Sequence, residues 1–113
     1  MDKLQNLLLH DLPITDAGLK PLAGLKNRKG LNLNRTRVTD SGAQLLSTDV
    51  PWFEIMRMGE TKVTVGGVQH LAAMKKLQTV EFYGTSVTAA AIQKLKAERP
   101  GIYVTYARGR EGR

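Results

Sequence analysis

The stretch that decides the fold is LNLNRTRVTDSG, residues 31–42, in which two leucines flank a polar residue and a Thr-Asp pair follows. The same order of residue types recurs in LLLHDLPITDAG (7–18), MRMGETKVTVGG (56–67) and VEFYGTSVTAAA (80–91). A last strand-like triplet begins at Val104, so the starts at 7, 31, 56, 80 and 104 lie 24, 25, 24 and 24 residues apart. Self-similarity at a fixed period predicts a stack of equivalent units.

Within each unit the apolar spacing changes from that of a strand to that of a helix. Leu31 and Leu33 flank a polar residue, as in a short half-buried strand. Seven residues after each strand begins comes Val or Ile, and the Thr that follows stands where a helix N-cap would be. These threonines are Thr15, Thr39, Thr64 and Thr88, aided by Asp16 and Asp40 in the first two units. Helical spacing follows, and a single unit cannot bury its own apolar face, so the units must stack.

The pattern LxxLxLxxT followed by (I/V)TDxG resembles the leucine-rich repeat family, in particular its short bacterial repeats and the related cysteine-containing type. Thr36, Thr61 and Thr85 stand where those families often have Asn or Cys. The resemblance implies a bacterial α/β protein, a right-handed solenoid with about five short parallel strands on the concave side and helices on the convex side. We expect residues 1–113 to form one domain of about four repeats and a closing strand, with 107–113 as a flexible basic tail.

The composition excludes several classes of protein and of site. The chain of 113 residues has 17 Lys and Arg against 10 Asp and Glu, a net charge of +7, with no cysteine and two histidines. These counts exclude disulfides and thiolate metal sites, and no column of the repeat offers a nucleophile beside His10 and Asp11. We therefore expect no enzyme activity, no metal and no cofactor. Without an apolar run of membrane length or a signal-peptide pattern at Met1–Leu9, we expect a cytoplasmic protein with no membrane association.

Residues that alternate with the buried ones form rows across neighbouring strands. The rows predict a ladder of Asp11, Arg35 and Glu60 and a pair of Arg57 with Glu81. One interpretation is that these pairs only hold the strands in register. The other is that the rows form a polar site for a protein partner, since aromatic and Arg side chains are favoured at contacts. The candidate partner-binding residues are Asn32, Asn34, Arg35, Arg57, Glu60, Glu81 and Tyr83.

Two alternatives concern other surfaces. The basic residues of the helices and the loops after them could bind nucleic acid or another anion; they are Lys20, Lys26, Lys75, Lys76, Lys94, Lys96 and Arg99. This partner is less favoured, because stacking on bases requires aromatic residues nearby. The strand at Leu7–Leu9 has no capping helix before it, so either the chain continues upstream or this edge docks on a partner or a second copy as a homodimer.

Arg28 and Trp52 depart from the repeat, whereas Tyr106 follows it. Arg28 stands at a core position, and we expect its stem to pack while its guanidinium reaches the edge. Trp52 follows a one-residue insertion and either covers it or is an exposed contact residue. Tyr106, in the closing strand, should be buried.

Overall fold

The computed structural model describes residues 6–106. Strands and helices alternate along this part of the chain, which is therefore α/β. In chain order the elements are β1 (Asn6–Leu8), a 3-10 helix (Asp16–Gly24), β2 (Gly30–Asn32), α1 (Asp40–Asp49), β3 (Ile55–Arg57), α2 (Val65–Ala72), β4 (Thr79–Glu81), α3 (Ala89–Glu98) and β5 (Tyr103–Thr105). The predictions for the tail at 107–113 and for the chain before Asn6 lie outside the described residues.

The five strands form one parallel sheet in the order β1-β2-β3-β4-β5, which confirms the predicted sheet. Its register aligns Leu7, Leu31, Met56, Val80 and Val104, the residues from which the sequence period was counted. We refer to the repeats by these starts: repeat 1 (7–30), repeat 2 (31–55), repeat 3 (56–79) and repeat 4 (80–103). Among residues 6–106 no helix has both the length and the apolar character needed to cross a bilayer.

One apolar core lies between the sheet and the helices. The strand residues Leu31, Met56 and Val80 are buried, and the helices add residues such as Leu46 and Leu71. The two phenylalanines, Phe53 and Phe82, are fully buried. Because every repeat contributes to the same cluster, the repeats are stabilised chiefly by burial against their neighbours. Val104 and Tyr106, in contrast, are half-buried and pack against the edge of this core, so the predicted full burial of Tyr106 is wrong.

Each helix begins after the predicted threonine: the N-cap residues are Thr15, Thr39, Thr64 and Thr88. The aspartate that follows the first two caps, however, reaches into the next repeat. Asp16 accepts hydrogen bonds from the backbone N–H (2.8 Å) and the hydroxyl (2.5 Å) of Thr39. Asp40 does the same for Thr64, with its N–H at 2.6 Å. The Thr-Asp pair therefore links consecutive repeats as well as starting a helix.

The glycine of the motif makes room for that aspartate. A Cβ on Gly42 would lie 2.3 Å from Asp16 Oδ1, and one on Gly67 would lie 2.6 Å from Asp40 Oδ1. In repeat 4 the corresponding residue is Ala91, and the residue that would face it from repeat 3 is Val65 rather than an aspartate. Aspartate and glycine thus occur together across the first two junctions, and the junction between repeats 3 and 4 has neither.

The turns after β2, β3 and β4 are closed by the threonine that stands where the resemblance has Asn or Cys, whereas repeat 1 has Leu12 at this position. The hydroxyls of Thr36, Thr61 and Thr85 each donate to the carbonyl three residues earlier, at 2.8, 2.8 and 2.7 Å. A short side chain that donates to its own backbone favours a turn.

In repeat 1 the helix is of the 3-10 type and contains Pro21. Proline lacks the N–H that a continuous α-helix needs.

Two side chains fasten helix ends to the preceding repeat. Trp52 is half-buried, packs on the core and donates from Nε1 to the carbonyl of Leu25 at 3.2 Å, so it is not a fully exposed contact residue, and its covering of the insertion stays a prediction. The guanidinium of Arg99 donates to four carbonyls of repeat 3, from 2.8 to 3.3 Å; they belong to Ala72, Met74, Lys75 and Leu77. Arg28 is half-buried, as expected for a packed stem.

Candidate interaction site on the open face of the sheet

The open face is the side of the sheet that points away from the core. It carries two rows of side chains, which the strand register defines. The first row consists of Asn6, Gly30, Ile55, Thr79 and Tyr103. The second row, predicted from the sequence, consists of Leu8, Asn32, Arg57, Glu81 and Thr105. Gly30 is buried and the other nine residues are exposed or half-exposed, so the predicted outward orientation of Asn32, Arg57 and Glu81 is confirmed.

Arg35 is the centre of a hydrogen-bond network at the carboxyl end of the strands. Its guanidinium binds Asp11 through two contacts, Nε to Oδ1 at 2.5 Å and Nη2 to Oδ2 at 3.0 Å. Its Nη1 lies 3.9 Å from Glu60 Oε1 and donates to the hydroxyl of Tyr83 at 3.0 Å. Paired contacts between guanidinium and carboxylate fix orientation as well as charge. The predicted ladder of Asp11, Arg35 and Glu60 is therefore confirmed, and every nitrogen of the guanidinium already has a partner.

The network keeps both of its central groups charged. The hydrogen bonds from Arg35, and then from His10, hold the pKa of the Asp11 carboxyl well below its usual range. The hydrogen bond to Asp11 raises the pKa of Arg35 further above its usual value. Both groups are exposed, so solvent screens the attraction. The ion pair consequently serves to orient the side chains more than to stabilise the fold.

Tyr83 reaches Arg35 by crossing a glycine. A Cβ on Gly59 would lie 2.1 Å from Cε1 of Tyr83, so any other residue at this position would displace the ring. Arg35 and Tyr83 belong to repeats 2 and 4, and Gly59 lies between them in repeat 3. From the sequence we placed Tyr83 in the site but did not predict that its ring crosses Gly59 to reach Arg35. The one signal was a glycine at the repeat position that Asn34 and Tyr83 occupy in the neighbouring repeats.

The backbone at the network is left-handed. The φ angles of Asp11, Arg35 and Glu60 are 63°, 59° and 54°, and Gly84 at the same repeat position has 69°. For a residue with a Cβ this conformation costs about 1 kcal/mol or more. Hydrogen bonds between repeats continue through it, from the N–H of Asp11, Arg35 and Glu60 to carbonyls of the next repeat at 3.0, 2.8 and 2.7 Å. The tight turn therefore keeps the three charged side chains adjacent, a feature that the sequence period alone did not predict.

Asn34 does not face solvent, contrary to the prediction. Only 8% of it is exposed, and its Oδ1 accepts a hydrogen bond from the N–H of Gly59 at 2.7 Å. Its own N–H donates to Oδ1 of Asn32 at 3.0 Å. The physical reason is that the chain turns directly after Leu33, so the amide folds onto the backbone of the neighbouring repeat. Asn34 positions this turn and offers a partner no surface.

Arg57, unlike Arg35, has guanidinium nitrogens without a hydrogen-bond partner among residues 6–106. Its Nε lies 3.8 Å from Glu81 Oε2, which confirms the predicted pair, and 51% of its side chain is exposed. Among residues 6–106 its two Nη atoms have no hydrogen-bond partner. Of the ten residues in the two strand rows, Arg57 is the one cation. It is therefore the residue of the open face best placed to bind an external anion.

The basic side of the molecule holds free lysines and one engaged arginine. Lys20, Lys26, Lys75, Lys76, Lys94 and Lys96 are all exposed. In the described part of the chain the salt bridges involve only Arg35, Arg57 and His10, and no lysine lies within 4.0 Å of a carboxylate oxygen. Arg99, predicted among the basic contact residues, is instead half-buried and donates to backbone carbonyls. Its charge serves the helix end rather than a partner.

A comparison of the sequence with models of known protein families finds no match.

Proposed function

We propose that the chain is a small right-handed solenoid of the leucine-rich repeat type, and that it acts as a non-enzymatic protein-interaction module through the open face of its sheet. The period of 24 or 25 residues and the short parallel strands in chain order support the solenoid. In this arrangement the open face is the concave side. The repeats then serve to hold side chains at fixed spacings for a partner.

One observation carries the functional proposal: the open face combines a fixed polar network with exposed apolar and cationic groups. Arg35 and Tyr83 are held by hydrogen bonds before any partner arrives. Beside them Arg57 retains free donors, and Leu8 and Ile55 are exposed. Side chains that are already ordered lose less entropy when they bind. We assign partner contact to Asn32, Arg35, Arg57, Glu60, Glu81 and Tyr83.

The size of the face defines how a partner must bind. Five strands about 4.8 Å apart span about 19 Å, and the outward residues extend about 13 Å along them, an area on the order of 250 Å² in plan. A standard interface buries about 800 Å² on each partner. A partner must therefore also contact the loops beside the strands, where Arg37 and Lys62 are exposed.

Affinity capture tests the proposal. The wild-type chain, the Arg57→Glu variant and the Tyr83→Ala variant are immobilised and exposed to a nuclease-treated extract of the source cells. A Lys75→Glu/Lys76→Glu variant is the control, because it changes charge on the basic side only. We expect a protein that the wild type and the control retain and that the two open-face variants lose. Retention by all four, or loss with the lysine variant alone, would reject the open face as the site.

A second candidate function is the binding of a polyanion such as nucleic acid on the basic side. The exposed lysines favour it, since none of them pairs with a carboxylate of residues 6–106 and phosphates bind cations. Its affinity should fall steeply with salt concentration, and it should be lost in the Lys75→Glu/Lys76→Glu variant. Binding of a protein to the open face should fall less steeply with salt, because the strand rows carry one cation, and it should persist in the Lys75→Glu/Lys76→Glu variant.

A further inference from the structure

A shallow groove lies over β2 on the open face. Leu8 of β1 is 61% exposed, and Ile55 of β3 is 37% exposed. Between them β2 presents Gly30, which has no side chain, and Asn32. Leu8 and Ile55 stand diagonally across β2, because Leu8 pairs with Asn32 and Ile55 pairs with Gly30. Asn6 also lines the depression, and its amide covers Gly30, with Oδ1 2.1 Å from where a Cβ on Gly30 would stand. Exposed aliphatic side chains that line a depression are typical of interaction sites.

The groove has a polar end. Asn32 and Arg57 are direct neighbours across β2 and β3. Oδ1 of Asn32 already accepts the N–H of Asn34, so its amide NH₂ is the group left to face a ligand. Within residues 6–106 neither this NH₂ nor the Nη atoms of Arg57 donate a hydrogen bond. Two neighbouring donors, one of them charged, suit a carboxylate.

We propose that this groove binds an extended segment of the protein partner in which a leucine-like side chain is followed two residues later by Asp or Glu. The inference rests on the proposed function and names the chemistry of the partner. In an extended segment, side chains two residues apart lie on the same face about 7 Å from each other. Arg57 lies one strand beyond the middle of the groove, about 5 Å away, so an apolar side chain between Leu8 and Ile55 places the next same-face carboxylate within reach of the guanidinium.

Charge supports an acidic occupant over a neutral or basic one. The chain carries +7 overall, which attracts acidic partners before contact. Glu81 is the one carboxylate beside Arg57 in the strand rows, and its 3.8 Å contact involves Nε rather than the free Nη atoms. Arg35 cannot substitute, since Asp11 and Tyr83 occupy its donors. The occupant is therefore an acidic and apolar peptide segment.

Peptide titration followed by NMR tests the inference on the intact chain. The probe is acetyl-Ala-Leu-Ala-Glu-Ala-amide, and its matched control replaces Glu by Gln. At millimolar concentration and low salt we expect the Glu peptide to shift the resonances of Asn32, Ile55 and Arg57. We expect it to bind roughly three- to fivefold more tightly than the Gln peptide, the range that an exposed ion pair supports.

Variants separate the two parts of the groove. Arg57→Gln should abolish the difference between the Glu and Gln peptides. Ile55→Ser should weaken both peptides equally, whereas Tyr103→Ser should leave both unchanged, because Tyr103 is exposed in the same row two strands away. Equal binding of the two peptides, shifts confined to the lysine loops, or no shift at all would overturn the inference. A dimer by light scattering that Ile55→Ser dissociates would also overturn it, because a second copy would then fill the groove.

The outcome is distinguishable from that of the proposed function. If Arg57→Glu abolishes capture of a protein while the peptides fail to discriminate Glu from Gln, the acidic segment is rejected and the interaction module stands. If capture is indifferent to the open face, both proposals fall.

Discussion

The junctions between repeats 1 and 2 and between repeats 2 and 3 are built differently from the junction between repeats 3 and 4. At the first two, an aspartate crosses to the N-cap threonine of the next repeat and rests against a glycine. At the last, Val65 replaces the aspartate and Ala91 the glycine, and Arg99 binds the carbonyls of repeat 3 instead. A narrow apolar groove also remains between α2 and α3 there.

The comparison between the first two junctions and the last assigns a role to each residue of the TDxG motif. Thr stands at the N-cap of its own helix, where the side chain of Thr39 accepts the N–H of Ser41 and that of Thr15 makes no such bond. Asp binds the next repeat, and Gly accommodates the Asp of the previous one. Gly18 supports this interpretation because, within residues 6–106, no aspartate of an earlier repeat lies against it: among these residues a Cβ there would meet only Ile14, at 3.4 Å and beyond. The motif is therefore a property of pairs of repeats, and an isolated repeat could not use it.

The largest effect should come from the core that both kinds of junction share. Phe82→Ala, in repeat 4, should lower the free energy of unfolding by about 3–5 kcal/mol, and Leu33→Ala, in repeat 2, by about 2–5 kcal/mol, because each leaves a cavity in a fully buried site. Urea unfolding measured by circular dichroism and by Trp52 fluorescence checks both. If either variant unfolds at the midpoint of the wild type, the inward orientation of these side chains is wrong.

The next effect separates one glycine from another. Gly42→Ala should destabilise the chain by about 1–3 kcal/mol, since its Cβ would overlap Asp16 and Val38. Gly18→Ala is the matched control and should be neutral within about 0.5 kcal/mol, as at an ordinary surface site. Thermal unfolding of the pair gives the comparison. Helix propensity alone would stabilise both variants, because Ala is the better helix former. Equal changes in the two variants would therefore contradict a specific contact between repeats at Gly42.

A double-mutant cycle tests whether the aspartate–glycine arrangement can be introduced at the junction between repeats 3 and 4. Val65→Asp with Ala91→Gly should recreate at Thr88 the contact that Asp40 makes with Thr64. We expect each single variant to lose stability, and the double variant to recover about 1 kcal/mol relative to their sum. Strict additivity of the two changes in urea would contradict the coupling of aspartate and glycine.

The smallest effect concerns the network around Arg35. Since its folded-state pKa is depressed, Asp11 contributes stability that is present above the ordinary Asp pKa of about 3.9 and is lost as the pH falls toward the folded value. Asp11→Asn should therefore flatten the fall in melting temperature below about pH 4, with little change at neutral pH. An unchanged acid profile would show that the ion pair with Arg35 does not persist in solution.

The sequence predicted the features that depend on period. Because the repeat has a nearly constant length, counting from Leu7 predicts the sheet, its rows and the pair of Arg57 with Glu81. It also predicts the four N-cap threonines, since capping is a local property of a residue and the few that follow it.

The sequence did not predict the features that depend on which hydrogen-bond partner a side chain finds in the fold. Asn34 turns inward to the N–H of Gly59, and Tyr83 crosses Gly59 to reach Arg35. Asp16 binds no group of its own helix with its side chain here, but accepts a hydrogen bond from the hydroxyl of Thr39, 23 residues away. In each case several acceptors or donors lie within reach, and only the geometry of the turn, including its left-handed residues, decides between them.

Hydrogen–deuterium exchange of the chain with and without a captured protein tests the central claim most directly. Binding to the open face should slow exchange in segments 32–37 and 57–62, which run from the ends of β2 and β3 into the loops beside that face. Exchange in 20–29 and 75–78 on the basic side should stay unchanged. Slowed exchange confined to the basic segments would contradict it, and would assign the interaction to the lysines.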